Sequence, residues 1–364
     1  MPLPTNHPLI DGRTASSTLV RAYRGQRPEV TPVWFMRQAG RSLPEYRALR
    51  VGNEMLEACL TPELACEITL QPVRRHHVDA AIFFSDIVIP AKLAGADVEI
   101  VPGKGPVFAN PVRSASDVAA LRPIDPASLD PIREAVAMAV AELGSTPLIG
   151  FAGAPFTLAS YLVEGGPSKD QQRARTLMYS DPHTWATLLN WCADVAGEFL
   201  KAQVEAGASA VQLFDSWVGS LSEQQYVRRV APHSKRVLSH LRGYKVPKVH
   251  FGVGSGELLK AMHGIGADVM GVDWRIPLDV AEERLGGGVP LQGNIDPALL
   301  GAPEHVLAAH VHDVIQRGLA APAHVVNLGH GVPPETDPDV LTRIVELVHG
   351  GLPAVPVQAR REAV

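Results

Sequence analysis

The chain has 364 residues, with 33 Lys and Arg against 38 Asp and Glu, so its formal net charge is −5. Hydrophobic residues make up 46% and charged residues 20%, which excludes a largely disordered chain. The acidic balance argues against a nucleic-acid partner, because such partners usually require a basic surface.

The first 13 residues contain no apolar signal-peptide core, and no stretch approaches ~20 consecutive apolar residues. We therefore expect a cytoplasmic protein without a membrane partner. Cys59, Cys66 and Cys192 form no CxxC pair and no zinc-type spacing with histidine, so we predict reduced, buried thiols and no metal site.

The first predicted element is an apolar run at 33–36, followed by Arg37, Gln38, Ala39, Gly40 and Arg41. A guanidinium group is always charged, and its planar fork matches a carboxylate or phosphate. Gly40 permits a close backbone approach, and the apolar run would anchor the loop. The alternative is a pair of solvated surface arginines, but this context favours a site for a polyanionic ligand.

Seven further short apolar runs follow, and segments of helical periodicity separate most of them. Alternation of eight strands with helices predicts a single (β/α)8 barrel over residues 14–351, flanked by flexible segments 1–13 and 352–364. An extra hairpin is expected near 96–107. The later strands are predicted at 80–84, 148–151, 210–214, 248–251, 269–272, 289–292 and 325–328, and the helices at 64–77, 131–143, 182–206, 222–242, 256–263, 303–317 and 337–349.

Polar residues follow the predicted strands, where a barrel of this kind places its catalytic loops. His330 lies between two glycines, which release the backbone and leave the imidazole as the feature of the turn. Tyr161 lies on a predicted helix and could be a core residue, and Ser216 alone is a weak signal. Four aspartates at strand ends could either serve the site or cap the following helices: Asp86, Asp215, Asp273 and Asp296.

Seven segments at these positions resemble the uroporphyrinogen decarboxylase family. They are 35–46 (FMRQAGRSLPEY), 83–87, 150–158, 161–165, 212–217, 292–297 and 327–331. The resemblance implies a single (β/α)8 barrel, a homodimer and catalysis without metal or organic cofactor. It implies conversion of the four acetate side chains of uroporphyrinogen III to methyls, which gives coproporphyrinogen III in haem biosynthesis.

The resemblance also assigns site residues. Asp86, Arg37, Tyr161 and His330 would be catalytic, and Arg37, Gln38, Ala39, Gly40, Arg41, Asp86, Tyr161, Ser216 and His330 would bind the substrate. We expect Asp86 to hold the pyrrole N–H groups and stabilise the cation that develops there. Arg37, Arg41 and His330 would bind the carboxylates, Tyr161 and Ser216 would donate hydrogen bonds, and Phe84, Phe151 and Phe214 would form an apolar seat.

Two other functions remain as alternatives. A corrinoid-linked or zinc-dependent methyltransferase has a related fold, but it needs a His-x-Cys pair after the fifth strand, where this chain has His250-Phe251-Gly252. A non-catalytic tetrapyrrole carrier would need the cationic residues but no carboxylate at the centre of the site.

Overall fold

The computed structural model describes residues 2–350, and a curled sheet of parallel strands is its central feature. The strands are β1 (Ala81–Ile82), β2 (Val98–Val101), β3 (Gly105–Phe108), β4 (Leu148–Gly153), β5 (Ala210–Asp215), β6 (Lys248–Gly252), β7 (Val269–Gly271), β8 (Leu291–Gln292) and β9 (His324–Val325). Seven of them pair in parallel in the order β1-β4-β5-β6-β7-β8-β9. Helices connect neighbouring strands, so the fold is the predicted α/β barrel.

The gap between β9 and β1 is closed by the segment predicted as the first strand. Val33 pairs in parallel with Val326, and the Asp79 N–H donates to the Val33 carbonyl at 2.9 Å. The prediction of a regular strand at 33–36 is wrong, because side chains occupy the places of ladder partners. The N–H groups of Val33, Phe35 and Met36 donate to Asp79 Oδ2, Gln38 Oε1 and Asn327 Oδ1 at 2.8, 2.9 and 3.0 Å.

The helices cover the outside of the barrel. They are α1 (Thr18–Tyr23), α2 (Pro44–Leu49), α3 (Met55–Leu60), α4 (Pro62–His76), α5 (Ile89–Leu93), α6 (Ala115–Ala120), α7 (Asp130–Leu143), α8 (Pro155–Glu164), α9 (Gln172–Ser180), α10 (Pro182–Glu205), α11 (Glu223–Arg229), α12 (Ala231–Ser239), α13 (Leu259–His263), α14 (Leu278–Leu285), α15 (Glu304–Gly318) and α16 (Pro338–His349). Short 3-10 helices occupy Pro126–Leu129, Val218–Ser220 and Pro297–Gly301.

Local sequence accounts for several helix boundaries. Asp181 caps the long helix α10, because its side chain accepts the Thr184 N–H at 3.1 Å. One helix was predicted over 222–242, but the structure has α11 and α12 there. Pro232 lies in the first turn of α12 and has no N–H to continue a helix from the preceding turn, so the segment breaks at Val230.

Two further segments differ in length or packing from a simple barrel. β2 and β3 form an antiparallel pair between β1 and β4, where the extra hairpin is predicted. Part of the N-terminal segment expected to be flexible packs on the barrel, because His7 and Leu9 are buried and the His7 ring bonds the Val204 carbonyl at 3.1 Å. The C-terminal segment 352–364 lies outside the described residues.

The barrel interior contains a polar network below the strand ends. Gln292 Nε2 donates to Gln212 Oε1 at 2.9 Å, and Trp34 Nε1 donates to the Tyr23 hydroxyl at 3.1 Å and to Gln292 Oε1 at 3.2 Å. These four side chains are almost fully buried. Their mutual hydrogen bonds offset the cost of removing them from water. They also make this layer of the barrel interior rigid, next to the loops that follow the strands.

Candidate active site

The strand register determines which side chains face the barrel interior. Phe151 of β4 pairs with Gln212 of β5, and Gln212 bonds Gln292 across the barrel, so this face points inward. Side chains alternate along a strand. Phe214 therefore also points inward, and Ser216 continues the same alternation just beyond the strand end.

The loop of Arg37 is held by Gln38. The Gln38 side chain is fully buried, accepts the Phe35 N–H at 2.9 Å and donates to the Ala80 carbonyl at 3.0 Å. Gln38 therefore positions the loop through its side chain, and its contact with substrate stays a prediction. Arg37 itself adopts φ 61°, a left-handed conformation that costs energy in a residue with a Cβ.

Several donors of this loop have no partner within residues 2–350. The guanidinium groups of Arg37 and Arg41 form no ion pair or hydrogen bond, and both are exposed. The backbone N–H groups of Ala39, Gly40 and Arg41 also make no hydrogen bond in this part of the chain. Consecutive unpaired N–H groups beside arginines make a concave, positive surface suited to an anion.

Asp86 lies at the end of β1 with its carboxylate largely removed from solvent. Its Oδ1 accepts the Val88 N–H at 3.0 Å. Burial raises the pKa of Asp86, while this hydrogen bond and the positive charge of Arg37 lower it. Asp86 and Arg37 are therefore close enough to influence each other, although no direct ion pair joins them.

Tyr161 of α8 faces the same region and stacks on Trp217. The two rings lie 4.0 Å apart at 26°, which fixes the tyrosine in place. Burial and the negative charge of Asp86 raise the pKa of Tyr161 to about 12, so its hydroxyl stays protonated and available as a donor. Ser216 precedes Trp217, and both hydroxyls have no partner in the part of the chain that the structure describes.

His330 is a neutral imidazole with one nitrogen directed at its own loop. Its Nδ1 accepts the Gly331 N–H at 2.6 Å, so the proton of the neutral ring is on Nε2. Burial, followed by the charges of Arg37 and Arg275, lowers the pKa of His330 to about 4, and Asp273 opposes this. His330 therefore offers an N–H donor at neutral pH, not a full positive charge.

The glycines beside His330 are required by close packing. Neither Gly329 nor Gly331 has a positive φ, so conformational freedom is not the reason for them, contrary to the expectation from sequence. A Cβ at Gly331 would lie 2.5 Å from Arg37 Cδ, and one at Gly329 would overlap the Trp274 backbone. The two glycines thus allow the loop of His330 to contact the loop of Arg37 and the loop of Trp274.

A pocket of about 420 Å³ opens beside these loops, and Arg37 joins it to the neighbourhood of Asp86. Asp86, Tyr161 and Ser216 are not part of its wall, but Arg37 influences the pKa of Asp86 and of Tyr161 as well as that of His330. The pocket is lined by Arg37, Trp274, Asp296, Pro297, Ala298, His330, Gly331, Val332, Pro333 and Pro334.

The comparisons with known proteins identify the family of this chain. A model of the family described as uroporphyrinogen decarboxylase (URO-D) matches residues 14–351. The chain belongs to the uroporphyrinogen decarboxylase family. It is 67% identical over 340 residues to the uroporphyrinogen decarboxylase of Arthrobacter sp. (strain FB24), which covers 93% of this chain and 99% of that protein. It is 63% identical over 369 residues to that of Leifsonia xyli subsp. xyli (strain CTCB07), covering 96% and 98%.

Solved structures with a similar fold come from methyltransferases. A methyltransferase from Methanosarcina mazei aligns with a TM-score of 0.76 at 18% identity, covering 92% of this chain and 98% of that one. At this identity the likeness shows the barrel fold alone. The sequence identity with uroporphyrinogen decarboxylases, by contrast, extends over nearly the full length, so the family resemblance inferred from the motifs is confirmed.

The aromatic residues expected to form an apolar seat in this uroporphyrinogen decarboxylase family member are only partly brought together. Phe151 and Phe214 meet edge to face at 5.4 Å, and Phe214 also contacts Phe251 at 6.0 Å. Phe84 is buried and its aromatic contact is with Tyr46 at 5.7 Å. Of the three, Phe214 is the least buried and offers the most surface to a ligand.

The four strand-end aspartates have different roles. Asp296 caps the 3-10 helix at Pro297–Gly301 by accepting the Ala298 N–H, so its capping alternative is observed. Asp215 accepts the Thr157 hydroxyl at 2.8 Å, and that hydroxyl in turn accepts the Trp217 N–H at 3.3 Å. Through Thr157, Asp215 therefore fixes the backbone of Trp217, the residue that stacks on Tyr161. Asp273 is buried and pairs with Arg275.

Sequence reasoning missed Trp217 and Arg275 as parts of the site. Trp217 directly follows Ser216, and Arg275 lies two residues after Asp273, so both are close to residues that the sequence singled out. Their importance depends on stacking with Tyr161 and with Trp274, and such stacking is visible only in three dimensions.

The described residues offer no cluster of three His, Cys, Asp or Glu side chains able to hold a metal ion. His250, considered as a possible zinc ligand, is fully buried and its Nδ1 bonds the Met262 carbonyl at 3.2 Å. The three cysteines are buried free thiols, as predicted. Within residues 2–350, none of the helices has the length and apolar character of a membrane span.

Proposed function

We propose that the chain decarboxylates uroporphyrinogen by binding its carboxylates with the Arg37 loop and His330 and its pyrrole N–H groups with Asp86. The observation that carries the activity is the family match over residues 14–351 together with identities of 67% and 63% to uroporphyrinogen decarboxylases. The product would be coproporphyrinogen, formed by converting four acetates to methyls. The activity is that of a carboxy-lyase in tetrapyrrole biosynthesis.

Charge complementarity supports this substrate. The chain as a whole carries a net charge of −5, yet the strand-end loops present Arg37 and Arg41 without ion-pair partners in the described residues. Uroporphyrinogen carries acetate and propionate carboxylates around its ring. Unpaired guanidinium forks are the groups best suited to bind them, because each can donate two parallel hydrogen bonds to one carboxylate.

The surroundings of Asp86 support its proposed role as an electrostatic catalyst. Its carboxylate is half-buried, within electrostatic influence of Arg37 and Tyr161, and the structure gives it one protein donor, the Val88 N–H. Its remaining acceptor capacity is free for pyrrole N–H groups. A carboxylate fixed in a site of low polarity stabilises a developing cation far more than one in water.

The chemical step then needs no external electron sink. A proton adds to the pyrrole carbon next to the acetate-bearing carbon, and the ring becomes an iminium cation held against Asp86. The C–C bond to the carboxylate breaks, its electron pair neutralises the cation, and carbon dioxide leaves. A proton added to the resulting exocyclic carbon, with loss of the first proton from the ring, leaves a methyl group in place of the acetate.

Four donors, one charged and three neutral, would orient the reacting side chain. Arg37 lowers the pKa of both His330 and Asp86, so it is near both, and it would bind the carboxylate of the acetate in position for loss. His330 would donate from Nε2, since its Nδ1 is occupied by the Gly331 N–H. Tyr161 and Ser216 would supply the remaining hydrogen bonds. Arginine is a poor acid because its pKa exceeds ~12, so Arg37 orients the group and does not deliver the proton.

The activity is tested by anaerobic incubation of the purified protein with reduced uroporphyrinogen, followed by oxidation and separation of the products by carboxylate number. Species with seven, six, five and four carboxylates are expected without added cofactor. Unchanged substrate that is nevertheless bound would indicate a tetrapyrrole carrier, and unchanged, unbound substrate would refute the proposal.

Asp86→Asn tests the electrostatic role separately from binding. The amide is of similar size but carries no negative charge, so we expect the Kd for uroporphyrinogen to change little while kcat falls by about 100-fold or more. Thermal unfolding should match that of the unsubstituted protein. Turnover of the Asn variant at a near-normal rate would contradict the assignment.

We also propose, from the family resemblance, that the protein is a cytoplasmic homodimer. Light scattering coupled to size-exclusion chromatography measures the mass directly. A mass near twice the 39.0 kDa of the chain is expected, and a mass of one chain would refute the dimer.

A further inference from the structure

Arg275 is a third arginine beside the candidate active site, and the proposed mechanism does not use it. It follows Trp274, which lines the pocket together with Arg37 and His330. The Arg275 guanidinium lies over the Trp274 ring, with Cζ 3.9 Å from the ring centroid. The Trp274 ring is also 6.4 Å from the His330 imidazole, so both side chains neighbour the same indole.

The buried carboxylate of Asp273 fixes the position of Arg275. Its Nη1 pairs with Oδ2 of Asp273, whose side chain is 1% exposed. The same oxygen accepts the Gly254 N–H at 2.7 Å, and the Asp273 carbonyl accepts a hydrogen bond from Asn294 at 3.0 Å. A guanidinium held at one end by a buried carboxylate and on one face by an indole has little rotamer freedom left to lose on binding.

Most donors of Arg275 nevertheless remain available. A guanidinium carries five N–H groups, and only Nη1 of Arg275 has a partner in the described residues. The side chain is 51% exposed, unlike the buried Asp273 beneath it. Its charge reaches the pocket, because it contributes to lowering the pKa of His330.

We propose that Arg275 is a specificity-determining residue that binds a peripheral carboxylate of the tetrapyrrole at the rim of the pocket, next to His330. The inference rests on the proposed function of the same site. It adds a third guanidinium to Arg37 and Arg41, next to the Trp274 ring. The three arginines would then distinguish highly carboxylated tetrapyrroles from those with fewer carboxylates.

The carboxylate has two possible sources on this substrate, an acetate or a propionate. Acetates disappear as the reaction proceeds, whereas all four propionates remain in coproporphyrinogen. An acetate contact at Arg275 would therefore strengthen binding of the substrate only, and a propionate contact would strengthen binding of substrate and product alike.

The test compares Arg275→Gln with the unsubstituted protein and with Arg343→Gln as the matched control. Arg343 is similarly exposed at 47% and ion-paired, but it lies on α16 outside the barrel. The initial rate of seven-carboxylate product gives KM and kcat for uroporphyrinogen, and tryptophan fluorescence gives the Kd for uroporphyrinogen and for coproporphyrinogen.

We expect Arg275→Gln to raise KM and Kd for uroporphyrinogen about 5- to 20-fold, the range for loss of a partly exposed charged hydrogen bond, with kcat within about twofold. The difference should shrink at high salt. Arg343→Gln should change neither constant. A parallel rise in the Kd for coproporphyrinogen identifies a propionate, and an unchanged Kd identifies an acetate.

Two results would overturn the inference. One is an unchanged Kd for uroporphyrinogen in the Arg275→Gln variant. The other is a raised Kd that comes with a clearly lowered Tm and an equal fall in kcat, which would mean that Arg275 only supports Asp273 and Trp274. Because the Kd measurement needs no turnover, absence of decarboxylation in the unsubstituted protein would refute the proposed function without deciding the role of Arg275.

Discussion

Replacing Gly331 by alanine should disable the site through Arg37 while leaving the fold intact. The added Cβ would lie 2.5 Å from Arg37 Cδ, 2.8 Å from Cγ and 3.1 Å from Nε. All three atoms belong to one side chain, so relief requires Arg37 to move and requires no change in backbone. The φ of Gly331 is not positive, and alanine is therefore compatible with the local conformation.

The size of the effect follows from the displacement. Ordinary carbon contacts are about 3.5–4.0 Å, so Arg37 must retreat by roughly 1 Å. A charged hydrogen bond is worth about 1.5–3 kcal/mol, and about 1.4 kcal/mol corresponds to a factor of ten. We therefore expect kcat/KM to fall by roughly 10- to 100-fold. Because the obstructing atoms are flexible, Tm should fall by only a few degrees.

The assay is the initial rate of uroporphyrinogen decarboxylation, with Tm measured on the same samples. Gly301→Ala is the matched control, because Gly301 has no positive φ and a Cβ there would meet nothing within 4 Å. A second control is Arg37→Ala. In that background Gly331→Ala should have no further effect, since the obstructed side chain is already absent.

Two outcomes would refute this reasoning. The first is a kcat/KM for Gly331→Ala within about twofold of that of the unsubstituted protein, which would mean that the position of Arg37 does not matter. The second is additive loss in the double variant, which would show that Gly331 acts through another group.

Two further predictions concern stability. Gln38→Leu leaves the Phe35 N–H and the Ala80 carbonyl without their partners, so we expect a loss of about 1–3 kcal/mol for each buried group and a clearly lower Tm. An unchanged Tm would show that Gln38 does not hold the loop. His324 is buried with a pKa lowered from 6.5 to about 4, so its contribution to stability is complete above pH 6.5 and is lost as the pH falls toward 4. His324→Gln keeps a donor for the Gly293 carbonyl but does not titrate. In urea titrations, the difference in the free energy of unfolding between pH 7 and pH 5 should therefore shrink by about 1–2 kcal/mol. An undiminished difference would contradict the role assigned to His324.

The sequence predicted the long elements well because their signals are local. The apolar spacing of α10 and its capping Asp181 placed that helix within one residue of its observed end. The first strand was misjudged for the opposite reason. Its apolar composition is that of a strand, but the side chains of Asp79, Gln38 and Asn327 accept its N–H groups. Asp79 and Asn327 are distant in the chain, so no local pattern records these contacts.

The candidate site was predicted at the level of loops and not of contacts. Asp86, Ser216 and His330 lie in loops that follow strands, and Tyr161 lies on α8, the helix after β4. These positions follow from the barrel topology once the strands are counted. The stacking of Tyr161 on Trp217 and the buried side chain of Gln38 could not be foreseen from composition. Both depend on the distance between side chains from different elements.

By itself the sequence determined the alternation of strands and helices, the family and the loops that carry polar residues, because periodicity and motifs are properties of neighbouring residues. Only the tertiary structure decided that Arg37 lies against Gly331 and that His330 is neutral with its proton on Nε2. Closing the barrel brings the first loop beside the last, and the charge state of each group then depends on burial and on neighbours distant in the chain.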